Sequence, residues 1–412
     1  MKPEEILSKS ITLPNGSLLP NRLAKSAMSE ALGSSDNRPT PALEKLYSRW
    51  AYGGIGLCIT GNVMIDKRAL GEPNNVAIED ESDLEILKLW ANAGTQNNTE
   101  LWIQLNHPGK QSPKGLNKET VAPSAVPFKK ELSAFFSTPR ALEENEIEDI
   151  IKRFGTSAMI AKKAGFKGVQ IHGAHGYLVS QFLSPHHNQR TDKWGGNPEN
   201  RQRFALEVLS EIRNNVGKEF PIGIKLNSSD FQKGGFTEEE SIGVIQNLEK
   251  SGIDLIEISG GTYEAPAMTG NTARESTIRR EAYFLQFAEK VRKSVRVPLM
   301  LTGGFRTLNA MGNAISSGAI DIVGLARPLA IEPDLPSRLL KGLESAHKMH
   351  NITTGINFID KLGMLELTWH ARQLQRMGRG ENPNPNESAY SALLSGLFEM
   401  GWKTFKTRRL RA

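Results

Sequence analysis

Two histidines and a tyrosine, His172, His175 and Tyr177, fall within six positions in IHGAHGYLVSQFLSP, residues 171–185, directly after an apolar run. A core strand has no use for three polar rings in succession. A neutral imidazole offers one N–H donor, so two of them can hold one oxygen of a carbonyl, a nitro group or a phenolate. A nearby phenol, with an ordinary pKa of about 10, can give its proton to a carbanion-like carbon. The set reads as an oxygen clamp with a proton donor. Two other readings stand beside it. His172 and His175 are satisfied core histidines, or they bind a metal with His186 or His187 in a barrel hydrolase.

Something must carry these rings to one place. The chain alternates short apolar runs with longer amphipathic stretches. The runs are RLAKSAM, GIGLCITGNV, ELWIQLN, KGVQIHGA, PIGIKLN, IDLIEISG, VPLMLTGG and IDIVGLAR. Each reads as a strand buried on both faces, the habit of parallel sheets. PENRQRFALEVLSEIRNNVG reads as a helix, with Pro198 near its start and Gly217 after its end. TEEESIGVIQNLEKSG opens on a capping box, Thr237 and Glu240, and stops at Gly252. Eight strand–helix units between about residues 23 and 345 predict a closed (β/α)8 barrel, a TIM barrel; a doubly wound open sheet is the runner-up. Residues 107–142 read as a capping insertion after strand three. Residues 346–412 read as a C-terminal helical extension on the barrel or on a neighbouring subunit, which allows a homo-oligomer.

In such a barrel the chemistry collects at the C-terminal ends of the strands. There the sequence places Ser26-Ala27-Met28-Ser29, Asn62, Gln104, His172, Lys225, Gly303-Gly304 and Ala326-Arg327. Glycines let backbone N–H groups approach a phosphate, and a helix start attracts anions. Two such turns in consecutive units, with an arginine, favour a phosphate site over plain tight turns.

Composition narrows the classes further. Lys and Arg number 51 against 45 Asp and Glu, a net charge of +6, much of it in the tail KTFKTRRLRA. No basic module or stripe points to nucleic acid. No apolar run reaches the ~18–20 residues of a membrane span, and the first residues lack a signal-peptide core. A cytoplasmic location is therefore expected. The single cysteine, Cys58, excludes an internal disulfide and any thiolate-held zinc or iron–sulfur cluster. It lies in an apolar run and reads as a buried structural thiol.

From about residue 5 to 340 the chain resembles the old yellow enzyme family of FMN-dependent ene-reductases. The resemblance is carried above all by IHGAHGYLVSQFLSPHHNQRTDKWGGNPENRQRF, residues 171–204. NRLAKSAMS, WIQLNHPGKQ, TGGF and VGLARPL support it. The resemblance implies a catalytic barrel, residues 1–345, that holds FMN noncovalently, with NADPH or NADH as hydride donor. It implies the FMN phosphate at Gly304, Ala326 and Arg327, beside Gly303. It implies Ser26, Ala27, Met28 and Ser29 along the flavin ring, and Gln104 on its pyrimidine edge. His172 and His175 clamp the substrate oxygen, and Tyr177 donates the proton. The substrate class implied is a small activated alkene, an α,β-unsaturated carbonyl or nitro compound: hydride goes to the β-carbon and a proton to the α-carbon.

Three positions depart from the family pattern. Lys225 stands where arginine is usual near flavin N1, keeping the charge without the planar fork. Ser29 stands where threonine or cysteine is frequent. Asn62 stands where a small residue is common. The larger relatives that carry a 4Fe–4S cluster are excluded by the cysteine count. Besides the hydrolase, a non-catalytic flavin-binding protein is the remaining alternative; retention of all three rings argues against it. The residues above the flavin are expected partly in 107–142 and 262–280.

Overall fold

A computed structural model of the chain describes residues 1–130, 132–262, 264–265, 281–347, 352–356 and 364–395. The eight apolar runs form eight strands: β1 (Leu23–Lys25), β2 (Leu57–Met64), β3 (Glu100–Asn106), β4 (Gly168–Gly173), β5 (Ile222–Asn227), β6 (Leu255–Ser259), β7 (Leu299–Thr302) and β8 (Ile322–Leu325). Strands adjacent in sequence pair in parallel, and β8 pairs with β1, so the sheet closes. Helices follow the strands on the outside, and the chain is a (β/α)8 barrel, not an open sheet.

The helix signals hold. Asn197 accepts from the Asn200 N–H and Pro198 opens the helix Pro198–Val216, which buries Phe204, Val208, Leu209 and Ile212 on one face. Thr237 and Glu240 form the capping box of the helix Glu238–Lys250.

The lumen is built in layers, because side chains two apart on a strand share a face. Its lower layer is apolar. Ala24, Leu57, Ile59, Trp102, Leu255, Met300 and Ile322 pack there with Leu13 and Leu19. The last two come from an N-terminal hairpin, Ile11–Thr12 against Leu18–Leu19. Trp102 is fully buried, and its ring explains two glycines. A Cβ on Gly168 would stand 2.6 Å from the indole, and one on Gly223 2.9 Å. Two residues further along most of the strands the lumen turns polar, and that layer forms the floor of the site described below.

The insertion between β3 and its helix (Glu144–Ala164) holds a short parallel pair, Val121–Ala122 with Arg140–Ala141, and a Phe128–Phe136 contact at 4.6 Å between ring centroids. After the barrel, the helix Met364–Gly378 lies on the helix Pro41–Tyr52 and on the short helix Arg327–Ile331. Leu374 and Met377 join the main core. The basic tail 403–412 lies outside the described residues, as does 266–280, most of the segment after β6 expected to face the flavin.

Gly168→Ala should lower stability by roughly 1–3 kcal/mol, the usual cost of overpacking a core. Gly243→Ala, whose Cβ would meet nothing within 4 Å on an outer helix, should be neutral or stabilising by up to about 1 kcal/mol. Urea unfolding of the two variants checks the contrast.

Candidate active site

The polar layer above Trp102 is one connected set. Gln104 donates to Gln170 Oε1 at 2.8 Å, and Gln170 donates to Glu257 Oε2 at 2.8 Å. Thr302 donates to Glu257 Oε1 at 2.7 Å and lies 2.7 Å from the Ser26 hydroxyl. Lys225 Nζ is 3.0 Å from Glu257 Oε1. Gly324 leaves the space this needs, since a Cβ there would meet Thr302 Oγ1 at 2.0 Å. Glu257 is fully buried. Burial raises its pKa, but the Lys225 ammonium and the Thr302 and Gln170 hydrogen bonds outweigh that and hold the carboxyl below its ordinary value.

The three rings stand one layer higher, next to Lys225. His172 closes β4 and is paired in register with Lys225. Its ring centroid lies 5.3 Å from that of His175 and 4.6 Å from that of Tyr177. All three are brought together as the sequence predicts. His175 sits in the left-handed region at φ +60°, where its N–H donates to Asn227 Oδ1 at 3.1 Å. Its Nε2 is 2.8 Å from the Ser259 hydroxyl. The Ala174 N–H points at His172 Nδ1 from 3.4 Å. Burial, then the nearby Lys225 charge, push both imidazoles well below their ordinary pKa, so both are neutral.

Most of the conspicuous segment 171–204 is scaffolding for these rings. Gln181 accepts from the Lys110 N–H and donates to the Pro108 and Gly176 carbonyls, tying the β3 and β4 loops together. Asn188 donates to the carbonyls of Phe182 and Trp194. Arg190 donates to the Pro123 and Leu142 carbonyls and so pins the insertion. Arg201 donates to Leu183 and Gly196 and pairs with Glu240.

Gly303 and Gly304, at φ +127° and +87°, turn the chain out of β7. A Cβ on Gly304 would stand 2.6 Å from the Tyr283 ring, so this turn is closely covered. The N–H groups of Arg306 and Thr307 donate to Glu281 at 2.6 and 3.0 Å. Directly after β8, Ala326 precedes the helix Arg327–Ile331. The Arg327 side chain is 29% exposed and its Nη1 lies 3.0 Å from Glu366 Oε2. Ser29 donates to Asn62 Oδ1 at 3.4 Å, which places that departing pair side by side. Ala27 and Met28 are partly buried against the barrel interior and the outer core respectively.

The hydrolase reading loses its ligand set. Among the described residues, His186 and His187 group with Glu264, and not with His172 and His175. Glu264 is moreover 3.4 Å from the Lys110 ammonium. Sequence reasoning missed Gln170, Glu257, Ser259 and Glu366. The first three carry a readable signal: each is polar and lies two positions from another polar residue in a buried strand, in Gln170–His172 and Glu257–Ser259.

A barrel with a polar floor, three rings at its mouth and a glycine–arginine turn after β7 and β8 defines a flavin-dependent oxidoreductase class. Residues 7–346 match the family described as "NADH:flavin oxidoreductase / NADH oxidase family". The chain belongs to this family, the old yellow enzymes. It is 38% identical over 358 residues to the "NADH-dependent flavin oxidoreductase iliE" of Hypocrea jecorina, covering 81% of this chain and 88% of that protein. A structure of morphinone reductase in complex with tetrahydroNAD superposes with a TM-score of 0.70 at 26% identity, covering 83% of this chain and 92% of that one. A complex of 2-naphthoyl-CoA reductase with 2-naphthoyl-CoA gives 0.75 at 29% identity; it covers 82% of this chain but only 53% of that longer one. The cofactor is FMN, and the hydride donor is NADH or NADPH.

Two outcomes are expected from the buried charges. Glu257→Ala should cost about 3–5 kcal/mol in urea unfolding, because Lys225 is left buried without its counter-charge. Five histidines, His107, His172, His175, His187 and His370, are buried with lowered pKa, and burial brings His107 and His370 to about 4. The unfolded chain therefore binds protons first. The stability these groups supply is present above about pH 6.5 and is lost as pH falls toward the folded values. The urea midpoint should drop between pH 6.5 and 4, and replacing His107 and His370 by glutamine should flatten that slope.

Proposed function

We propose that the chain is an NAD(P)H-dependent ene-reductase that reduces the C=C bond of a small activated alkene. The observation that carries this reading is the convergence of two neutral imidazoles and a phenol beside Lys225 at the mouth of the barrel. FMN, when bound, supplies the hydride transfer between nicotinamide and alkene. The phosphate is assigned to Gly303, Gly304, Ala326 and Arg327. The ring is assigned to the Ser26–Ser29 segment, Asn62, Gln104 and Lys225. The donor set suits such a group: positive-φ glycines under a close aromatic cover, an arginine whose side chain is 29% exposed, and a buried polar floor.

The chain's own residues supply the rest. With Nδ1 facing the Ala174 N–H, neutral His172 carries its proton on Nε2 and offers it as a donor. In the tautomer in which the Ser259 hydroxyl donates to His175 Nε2, Nδ1–H of His175 is left for the same substrate oxygen. These hydrogen bonds strengthen as negative charge builds on that oxygen, so they favour the transition state over the bound substrate. A neutral imidazole is the useful form, since a cation would hand over its proton. Tyr177, 9% exposed, gives its phenolic proton to the α-carbon.

The test is anaerobic stopped-flow with separate half-reactions. The yellow protein should bleach with NADH or NADPH and recover its colour on adding cyclohexenone. Tyr177→Phe should slow recovery by about a hundredfold, within the usual range for losing a general acid, and leave bleaching nearly unchanged. His175→Ala should weaken binding of a phenolic ligand at least tenfold. Equal slowing of both half-reactions by the tyrosine change would remove Tyr177 from its role. A native flavoprotein that bleaches but never recovers with an enone would remove the alkene.

A further inference from the structure

We propose that Glu366, carried on the C-terminal helix Met364–Gly378, is an internal anion that competes with the FMN phosphate for Arg327. The inference rests on the assignment of Arg327 to the phosphate, and it adds a residue from outside the barrel to that site.

The geometry is specific. Glu366 Oε2 lies 3.0 Å from Arg327 Nη1, and the Glu366 side chain is only 5% exposed. Among the described residues its Oε1 is buried with no hydrogen-bond partner, although a carboxylate can accept several. A buried carboxylate that is half satisfied carries a desolvation cost, and the arginine is what offsets it. The helix cannot readily withdraw it. His370 Nδ1 is bonded to the Glu366 carbonyl at 2.7 Å, Gln375 reaches the Glu30 carbonyl, and Leu374 and Met377 are in the main core.

The charge count sets the direction. A phosphate monoester carries about −1.5 to −2 at neutral pH. Arg327 with Glu366 against it is close to neutral as a unit, so an arriving phosphate gains little from the guanidinium and meets a fixed carboxylate behind it. Without the cofactor the same carboxylate keeps Arg327 compensated. The carboxylate therefore stays against Arg327 when FMN binds, the guanidinium is shared between the two anions, and the docked C-terminal helix sets how tightly the cofactor is held.

The experiment is a titration of the flavin-free full chain with FMN, followed by flavin fluorescence, for the native sequence, Glu366→Gln and Glu366→Ala. Riboflavin, which lacks the phosphate, is titrated in parallel. Both variants should bind FMN about tenfold more tightly, while riboflavin binding stays as in the native chain. Unchanged or weaker FMN binding in the variants would overturn the proposal and make Glu366 a support for Arg327. A shift shared equally by riboflavin would overturn it too, because the phosphate would not be involved. If the native chain and both variants all failed to take up FMN, the phosphate assignment itself would fall, and the competition with it.

Discussion

The barrel is organised around one buried charge. Glu257 is sealed in the lumen above Trp102, where an unpaired carboxylate is not sustainable. Lys225 neutralises it, and Gln170 and Thr302 fill its remaining acceptor positions. Those partners are held in turn by Gln104 and Ser26, so residues from five strands and the position just after β1 form one connected unit. The same ammonium that compensates Glu257 lies beside His172 and helps keep both imidazoles neutral. Floor and rings are thus electrostatically one object: moving the lysine would disturb the carboxylate below it and the rings above it.

Function and scaffolding are interleaved along a short piece of chain. Between residues 171 and 204, three rings face the mouth, while Gln181, Asn188, Arg190 and Arg201 bind backbone carbonyls of the surrounding loops. Arginine suits this use, since its several donors reach two or three carbonyls at once. Beyond the short helix Leu178–Leu183 the connection after β4 is irregular, so that part of its backbone has no ladder to satisfy it. These side chains do that work, and they leave the left-handed turn at His175 with a fixed direction.

Much of this was legible in the order of residue types. Eight apolar runs alternating with amphipathic stretches predict the closed barrel, and Thr237, Glu240 and Pro198 fall where their helices begin. The three rings were readable because polar rings at a strand end have few structural uses. Gln170 and Glu257 were harder, because a strand buried on both faces looks apolar as a whole. Only the residue two positions away, Trp102 before Gln104 or Leu255 before Glu257, separates lumen from outer face. Glu366 was not legible at all. It lies 39 positions beyond Arg327 in sequence, and nothing local in LELTWHARQ says which strand end its helix covers.

Cys58 has a place in this chemistry by abstaining from it. Activated alkenes are electrophiles, and thiolates are the protein nucleophiles that most readily attack them. Cys58 is completely buried in β2, and burial, only partly opposed by Lys25, pushes its thiol up to about 12. At any ordinary pH the side chain is an uncharged apolar group packed behind the sheet. For the substrate class proposed above, the one sulfhydryl sits where it can be neither reached nor ionised, so such an electrophile would not alkylate the protein there.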